Sequence, residues 1–426
     1  MTTETGKTEQ RAETRNESGG NGGQSTDREP ERLGAGYTGR LLASLSLAWA
    51  TLQVGRFLLS PLLPAIIADL RVSTATAGLA LGALQLLYAV TQFPSGRLSD
   101  AFSRPPPIVA GLVAICCSFL LFSVATSVVG FVAAALVLGL GKGLFAVPSR
   151  AQLSDVFVEK RGQALGVYAA GTDAGGLTAS VVGVVVTSGA VAGVTAFTEP
   201  PSWRAPFLPL AGLVGLTAVG YVVWNEAPYR VGWPEFGFRA TVRRLLTTRA
   251  QREALTAFAL FFFVVGAWVG FLPTYLATAK GFSEATAAGV FAVVFVVGFA
   301  VKPVSGRLAD QFPRRAVAVG GLVLSVGALG AVIVLEGLGA VVAAVAVYAV
   351  GYKSVFPVVD ALLLDAAPDA NVGGDLGAAR AVFLGVGAFG PVYLGWMADT
   401  AGYRVGFLGL AACLLVAAGL LARDLR

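Results

Sequence analysis

Histidine is absent from the 426 residues, so no imidazole can act as catalytic base, metal ligand or pH sensor. Charge is scarce as well: Asp, Glu, Lys and Arg make up 13% of the chain, about half the ~25% of a soluble globular domain. Cysteine is limited to Cys116, Cys117 and Cys413, all within apolar runs. Two adjacent thiols cannot form a CxxC metal or redox site, and the three read as small buried hydrophobes. No apolar stretch follows Met1, so no cleaved signal peptide is expected. With 55% hydrophobic residues and a mean hydropathy of +0.73, the remaining reading is a chain whose main solvent is lipid.

Residues 1–40 are polar and cannot bury enough surface to fold, so they read as a disordered cytoplasmic tail. From Leu41 onward, apolar runs of about 20 residues follow one another, the length an α-helix needs to cross the hydrocarbon core. Twelve helices are expected over approximately 41–66, 75–95, 106–127, 129–150, 163–187, 206–224, 254–277, 285–304, 316–335, 338–358, 377–397 and 405–422. The polar segment 225–253 divides them into six-helix halves, 41–224 and 254–426. Within it Phe238, Val242, Leu245 and Leu246 lie at helical spacing beside Arg239, Arg243 and Arg244, which suits an interfacial helix as well as a solvated cytoplasmic linker. The net charge of +6 comes with 25 Arg and 6 Lys. Topology explains it better than a nucleic-acid partner does. With both termini cytoplasmic, the inside segments after the tail hold sixteen basic residues and the outside loops four (Arg71, Arg204, Lys280 and Arg404).

The second half repeats the first at an offset of 210. SGRLSDAFSR (95–104) and SGRLADQFPR (305–314) agree at seven of ten positions, each after the second helix of its half. Asp155 and Asp365 keep the same offset, and Trp203-Arg204…Phe207 echoes Tyr403-Arg404…Phe407. At these residues the chain resembles a major facilitator superfamily transporter, over roughly residues 41–426. That family's signature between its second and third helices is G-x-x-x-D-x-x-G-R-[KR]. Gly96, Asp100 and Arg104 match it, as do Gly306, Asp310, Arg314 and Arg315 in the second copy. Ser103 and Pro313 replace glycines and Pro105 replaces a base, implying a loop of altered shape. A second signature, G-x-x-x-G-P, survives as Gly390-Pro391 and is degraded to Gly171…Gly175-Gly176 on the fifth helix. In the family it accompanies antiporters, so its decay weakens an export reading. The resemblance implies an all-α fold of two pseudo-symmetric six-helix halves, with substrate bound between them near midplane. Gly96, Arg97, Asp100 and Arg104, with Gly306, Arg307, Asp310 and Arg314, are candidate gating residues. At cytoplasmic helix ends their charges can meet a helix terminus or the opposite half and break away in the other state.

Five basic residues fall inside expected spans: Arg56, Lys142, Lys302, Lys353 and Arg380. Such charges are costly in lipid unless paired or wet, and mark function by default. Lys302 and Arg380 lie near helix ends and are expected to snorkel to the cytoplasmic surface. Arg56, Lys142 and Lys353 are the candidate substrate-binding cations. Gly139-x-Gly141-Lys142-Gly143 lacks the Ser or Thr and the preceding strand of a phosphate loop. Asp173, on the fifth helix among small residues, is the clearest intramembrane acid, with Asp360 less central. It is the candidate proton-coupling residue, with Lys142 or Arg56 as its expected partner. Tyr88, Trp268 and Tyr275 are candidate cavity aromatics.

Surplus positive charge favours an anionic small-molecule substrate, because an arginine grips a carboxylate or phosphate with two parallel hydrogen bonds. The pattern R-x-x-x-S-P-x-L-P-x-I from Arg56 to Ile66 loosely resembles organic-anion and sugar-acid carriers. The expectation is a monomeric, multi-pass transporter in the plasma membrane, coupled to a proton or another cation, with no enzyme activity, cofactor, metal or nucleic-acid partner. The alternatives are a proton-driven exporter of lipophilic compounds and, in another class, a membrane-embedded receptor or enzyme.

Overall fold

The computed structural model of the protein describes residues 33–101, 103–191, 194–195, 201–230, 243, 248–365 and 372–423. The N-terminal half consists of α1 (Gly36–Leu58), α2 (Leu63–Leu70), α3 (Thr74–Ala101), α4 (Pro105–Val124), α5 (Val128–Val156), α6 (Arg161–Ser188) and α7 (Phe207–Trp224). A ribbon of β1 (Ala190–Val191) against antiparallel β2 (Val194–Thr195) joins α6 to α7. The C-terminal half consists of α8 (Arg249–Thr278), α9 (Glu284–Gln311), α10 (Arg314–Val334), α11 (Leu338–Asp365), α12 (Val372–Gly387), α13 (Phe389–Thr400) and α14 (Tyr403–Ala422). Among the described residues, twelve stretches are long and apolar enough to cross a membrane; α2 continues the first, and α12 with α13 forms the eleventh. The fold is the all-helical one expected, with the short ribbon as an addition. The segment with the suggested interfacial helix lies outside the described residues, apart from Arg243.

Several helices overrun their apolar stretches. α3 continues to Ala101 and α9 to Gln311, so Gly96, Arg97, Gly306, Arg307 and Asp310 are helical rather than in loops. α11 likewise runs past 358 to Asp365. Hydropathy marks where lipid ends, whereas the backbone ladder carries on into water wherever a helix breaker is lacking. Two breaks lie at prolines. Pro61 and Pro64 separate α1 from α2, and Pro391, with no N–H for the carbonyl four residues back, follows the interruption at Ala388.

The sequence repeat is also a packing repeat. α4 crosses α5 where a Cβ on Gly111 would lie 2.9 Å from the Gly141 carbonyl oxygen. At the same offset of 210, α10 crosses α11 where a Cβ on Gly321 would lie 2.7 Å from the Gly351 carbonyl oxygen. Small residues let backbones approach this closely where lipid provides no hydrophobic drive. Leu216, Val223, Leu415 and Val416 point outward, as a lipid-facing surface requires. Cys117 is exposed among them, while Cys116 and Cys413 are half-buried, so none of the three thiols is fully buried as expected and Cys117 departs furthest.

The halves meet along α3 against α12 and α13, and along α6 against α9. They approach closely at the end away from the chain termini. There a Cβ on Gly82 would lie 2.7 Å from the Ala388 carbonyl oxygen, and one on Gly395 2.6 Å from that of Thr74. The Ala75 N–H at the start of α3 donates to Asp399 Oδ2 of α13 at 2.7 Å.

Candidate functional site

A cavity of about 270 Å³ lies between the halves. Its N-half wall begins with Arg56, in the last turn of α1, where the break before Pro61 leaves carbonyls that favour a cation. The Arg56 guanidinium carbon is 4.6 Å from the Phe57 ring centroid. Lys142, on α5, is 3% exposed and holds its ammonium 3.8 Å from the Tyr88 ring centroid. Arg150, two turns further along α5, lies 5.4 Å from the Trp49 ring and 5.6 Å from that of Tyr168. Those two rings stack at 5.2 Å. The Trp49 indole donates to Thr172 Oγ1 at 2.9 Å, and Tyr168 OH shares a hydrogen bond with Ser149. These three cations thus rest on aromatic faces, partners contributing about 0.5–2 kcal/mol each, which leave N–H donors for an anion. Gln53, Gln85 and Gln92 add amides to the same lining. The Oε1 atoms of Gln53 and Gln85 are buried without a hydrogen-bond partner among the described residues.

The C-half contributes Lys302, Lys353 and Arg380. Facing them is Asp173 of α6, 2% exposed. Lys353 Nζ donates to Asp173 Oδ1 at 2.8 Å, and Lys302 Nζ donates to Oδ2. Glycine makes the approach feasible. A Cβ on Gly175 would lie 2.7 Å from the Ala50 carbonyl oxygen, and one on Gly298 2.8 Å from Asp173 Oδ1. The Lys302 side chain is 30% exposed, that of Lys353 6% and that of Asp173 2%. Solvent therefore reaches the triad from the Lys302 side, the end that carries the chain termini.

Arg56, Lys142 and Lys353 are brought together as the sequence predicts. Asp173 is also central, but its partners are Lys302 and Lys353 of the opposite half, not Lys142 or Arg56 of its own. Lys302 and Arg380 do not snorkel; both line the cavity. Because α9 extends to Gln311, Lys302 lies more than two turns inside the helix rather than at its end. Arg150 was hidden among loop arginines because α5 continues to Val156. The repeat held a usable signal: Gln92 and Lys302 are 210 apart and both line the cavity. Tyr88 is a lining aromatic. Trp268 packs instead against Tyr348 and Phe407, and Tyr275 against Tyr403 and Phe407. The Asp100 and Asp360 side chains lie outside the described residues.

The gating candidates sit at the terminus-side helix ends. Arg104 Nε donates to Asp155 Oδ2 at 2.9 Å, and Nη1 donates to the Ser99 carbonyl at 2.7 Å and to Ser99 Oγ at 2.9 Å. These bonds join the ends of α3 and α5 within one half. Arg97 stands 5.9 Å over the Phe93 ring. Gly306 has open space where a Cβ would be, and Arg307 and Asp310 are exposed. Arg314 is half-buried at the start of α10.

A family model described as Major Facilitator Superfamily matches residues 45–312 and 290–425. The chain is 25% identical over 405 residues to a hexuronate transporter of Bacillus subtilis, covering 88% of this chain and 92% of that one. It is 27% identical over 314 residues to a probable sulfoacetate transporter of Cupriavidus necator, covering 68% of each. It is 29% identical over 163 residues to a probable nitrate/nitrite antiporter of Thermus thermophilus, a match spanning 37% of this chain and 35% of that protein's length. Among solved structures, a bacterial homologue of the human lysosomal transporter Spinster superimposes with a TM-score of 0.78 at 17% identity, covering 90% and 96% of the two chains. A D-xylose–proton symporter gives 0.74 at 15% identity, covering 91% and 97%.

Proposed function

The chain belongs to the major facilitator superfamily, as a multi-pass membrane transporter and not an enzyme, and on that premise we propose that it moves a small, hydroxylated organic anion by alternating access. One observation carries this reading: six cations, Arg56, Lys142, Arg150, Lys302, Lys353 and Arg380, line the inter-half cavity, no acid is among its described lining residues, and Asp173 is held behind two of the cations, Lys302 and Lys353. An anion would take the N–H donors of Arg56 and Lys142, and Gln53, Gln85 and Gln92 suit hydroxyl groups along its skeleton. The relatives named for hexuronate, sulfoacetate and nitrate support an anionic substrate. A lipophilic cargo would leave Arg56 and Lys142 without a counter-charge in a closing cavity, at a cost of several kcal/mol each.

The sixteen-to-four basic bias supports cytoplasmic termini in the plasma membrane, which makes the described conformation open to the cytoplasm. Gly96, Arg97, Asp100, Arg104, Gly306, Arg307, Asp310 and Arg314 then lie at the cytoplasmic rim as proposed gate residues. Asp173 is the proposed coupling residue. Its partners lie across the interface, so rocking the halves changes its surroundings in each cycle.

The test is uptake by the purified protein in proteoliposomes, from a panel of hexuronates, sulfonates, nitrate and neutral hexoses, with and without a pH gradient. Sugar acids should enter and neutral sugars should not. Uptake of neutral sugars with no anion transported would reject the reading. Asp173→Asn should retain counterflow of substrate against substrate and lose accumulation driven by the gradient; intact accumulation would remove Asp173 from coupling.

A further inference from the structure

The cavity cations divide into two groups. On the N-half wall, Arg56, Lys142 and Arg150 face aromatic rings, and no carboxylate is among their described contacts. On the C-half wall the positive charge is already engaged. Each oxygen of Asp173 accepts from a different lysine, and Arg380 has interactions of its own. The N-half therefore reaches across the interface with a carboxylate and seats it on the C-half's two ammoniums. Gly298 leaves room for that carboxylate, since a Cβ there would lie 2.8 Å from Asp173 Oδ1 and 3.1 Å from Lys353 Cε. Arg56, Lys142, Lys302 and Lys353 line the same cavity, so the two groups bound one continuous site.

We propose that Asp173 is a resident anion that sets the charge of the substrate. By occupying Lys302 and Lys353 it stands where a second anionic group would bind, and it selects substrates with one carboxylate over those with two. The inference rests on the anion-carrier reading above and narrows it to monoanions. A monoanion places its single charged group on Arg56 and Lys142 and turns its neutral hydroxylated end toward the triad. A dianion of the same skeleton brings its second carboxylate against Asp173, which repels it and holds both ammoniums. Asp173 is thus a specificity determinant distinct from the cations that grip the substrate. A merely structural ion triad would affect folding and all ligands alike.

The experiment is calorimetric binding to the full-length protein in detergent, at fixed pH and ionic strength because exposed charges are screened by salt. Two matched pairs serve as probes: D-galacturonate with galactarate, which carries carboxylates at both ends of the same six carbons, and methanesulfonate with sulfoacetate. The wild type should bind the monoanion of a pair more tightly. Asp173→Asn should shift the affinity ratio toward the dianion by about tenfold or more, the effect of a charge-assisted hydrogen bond gained. Adding Lys353→Met to that variant should reverse much of the shift. A ratio unchanged by Asp173→Asn overturns the inference while leaving the anion reading in place. If Asp173→Asn does not fold, the wild-type ratio decides: equal or tighter binding of the dianion in both pairs overturns the inference. Absence of binding by all four probes overturns the proposed substrate class and this inference with it.

Discussion

Arg56 and Lys142 share a wall but not a chemistry. Only the guanidinium can present two parallel donors to a carboxylate. Arg56→Lys keeps the charge and loses the fork, and should weaken substrate binding by on the order of tenfold, as expected for a lost charge-assisted bond of about 1.5–3 kcal/mol. Arg56→Ala should nearly abolish binding at normal expression; calorimetry on both variants checks this, and unimpaired binding by Arg56→Ala would remove the residue from the site. At the opposite end of the molecule, Asp69 Oδ2 accepts from Arg204 Nη2 at 2.7 Å and from the Trp203 indole at 3.1 Å. Arg204 first and Trp203 second hold the Asp69 carboxyl below its ordinary range. A carboxyl lowered by folding adds stability above its unfolded value, and that contribution fades as pH falls through the folded one. The melting-temperature gap between wild type and Asp69→Asn should therefore be open at neutral pH and narrow below about pH 4. A gap constant to pH 3 would show that the tie does not depend on the charge.

Among the elements, helix crossings carry the clearest prediction. A Cβ on Gly351 would lie 2.5 Å from Ser325 Oγ and 2.7 Å from the Gly321 carbonyl oxygen. Gly351→Val must push α10 away from α11, and such overpacking costs about 1–3 kcal/mol. Gly320→Ala, with open space at its Cβ position, should leave the melting temperature near that of the wild type. Both are read by thermal unfolding in detergent, and equal stability of the two would dismiss the crossing as a tight contact. The twelve spans were legible in the sequence because twenty apolar residues fit one bilayer. The overrun of α3, α9 and α11 was not, since a polar helix in water leaves no hydropathy trace. The overruns of α9 and α5 also misplaced Lys302 and Arg150, two of the six cations that line the cavity. Arg56 and Lys142 were legible because each stands alone among apolar neighbours. The partners of Asp173 lie 129 and 180 residues downstream, and no periodicity within a helix reports which distant side chain will face it.

For the whole molecule, orientation is the simplest test. With Cys116, Cys117 and Cys413 replaced, Gly20→Cys and Leu425→Cys should resist a membrane-impermeant maleimide in sealed cells and react after permeabilisation. Labelling of either end in sealed cells would invert the topology and place the cavity mouth on the outside. The triad has a further consequence, in the time over which the chain is made. α6 is synthesised with Asp173 in place, yet Lys302 follows 129 residues later and Lys353 180 residues later. At translation rates of ~5–20 residues per second, the carboxylate waits roughly 6–26 s for its first counter-charge. Throughout that interval the nascent N-terminal half holds a lone acid in a glycine-rich helix at bilayer depth. Neither half is a finished product of the ribosome, and a chain truncated between α7 and α8 should be cleared by quality-control proteases unless the second half is supplied alongside it.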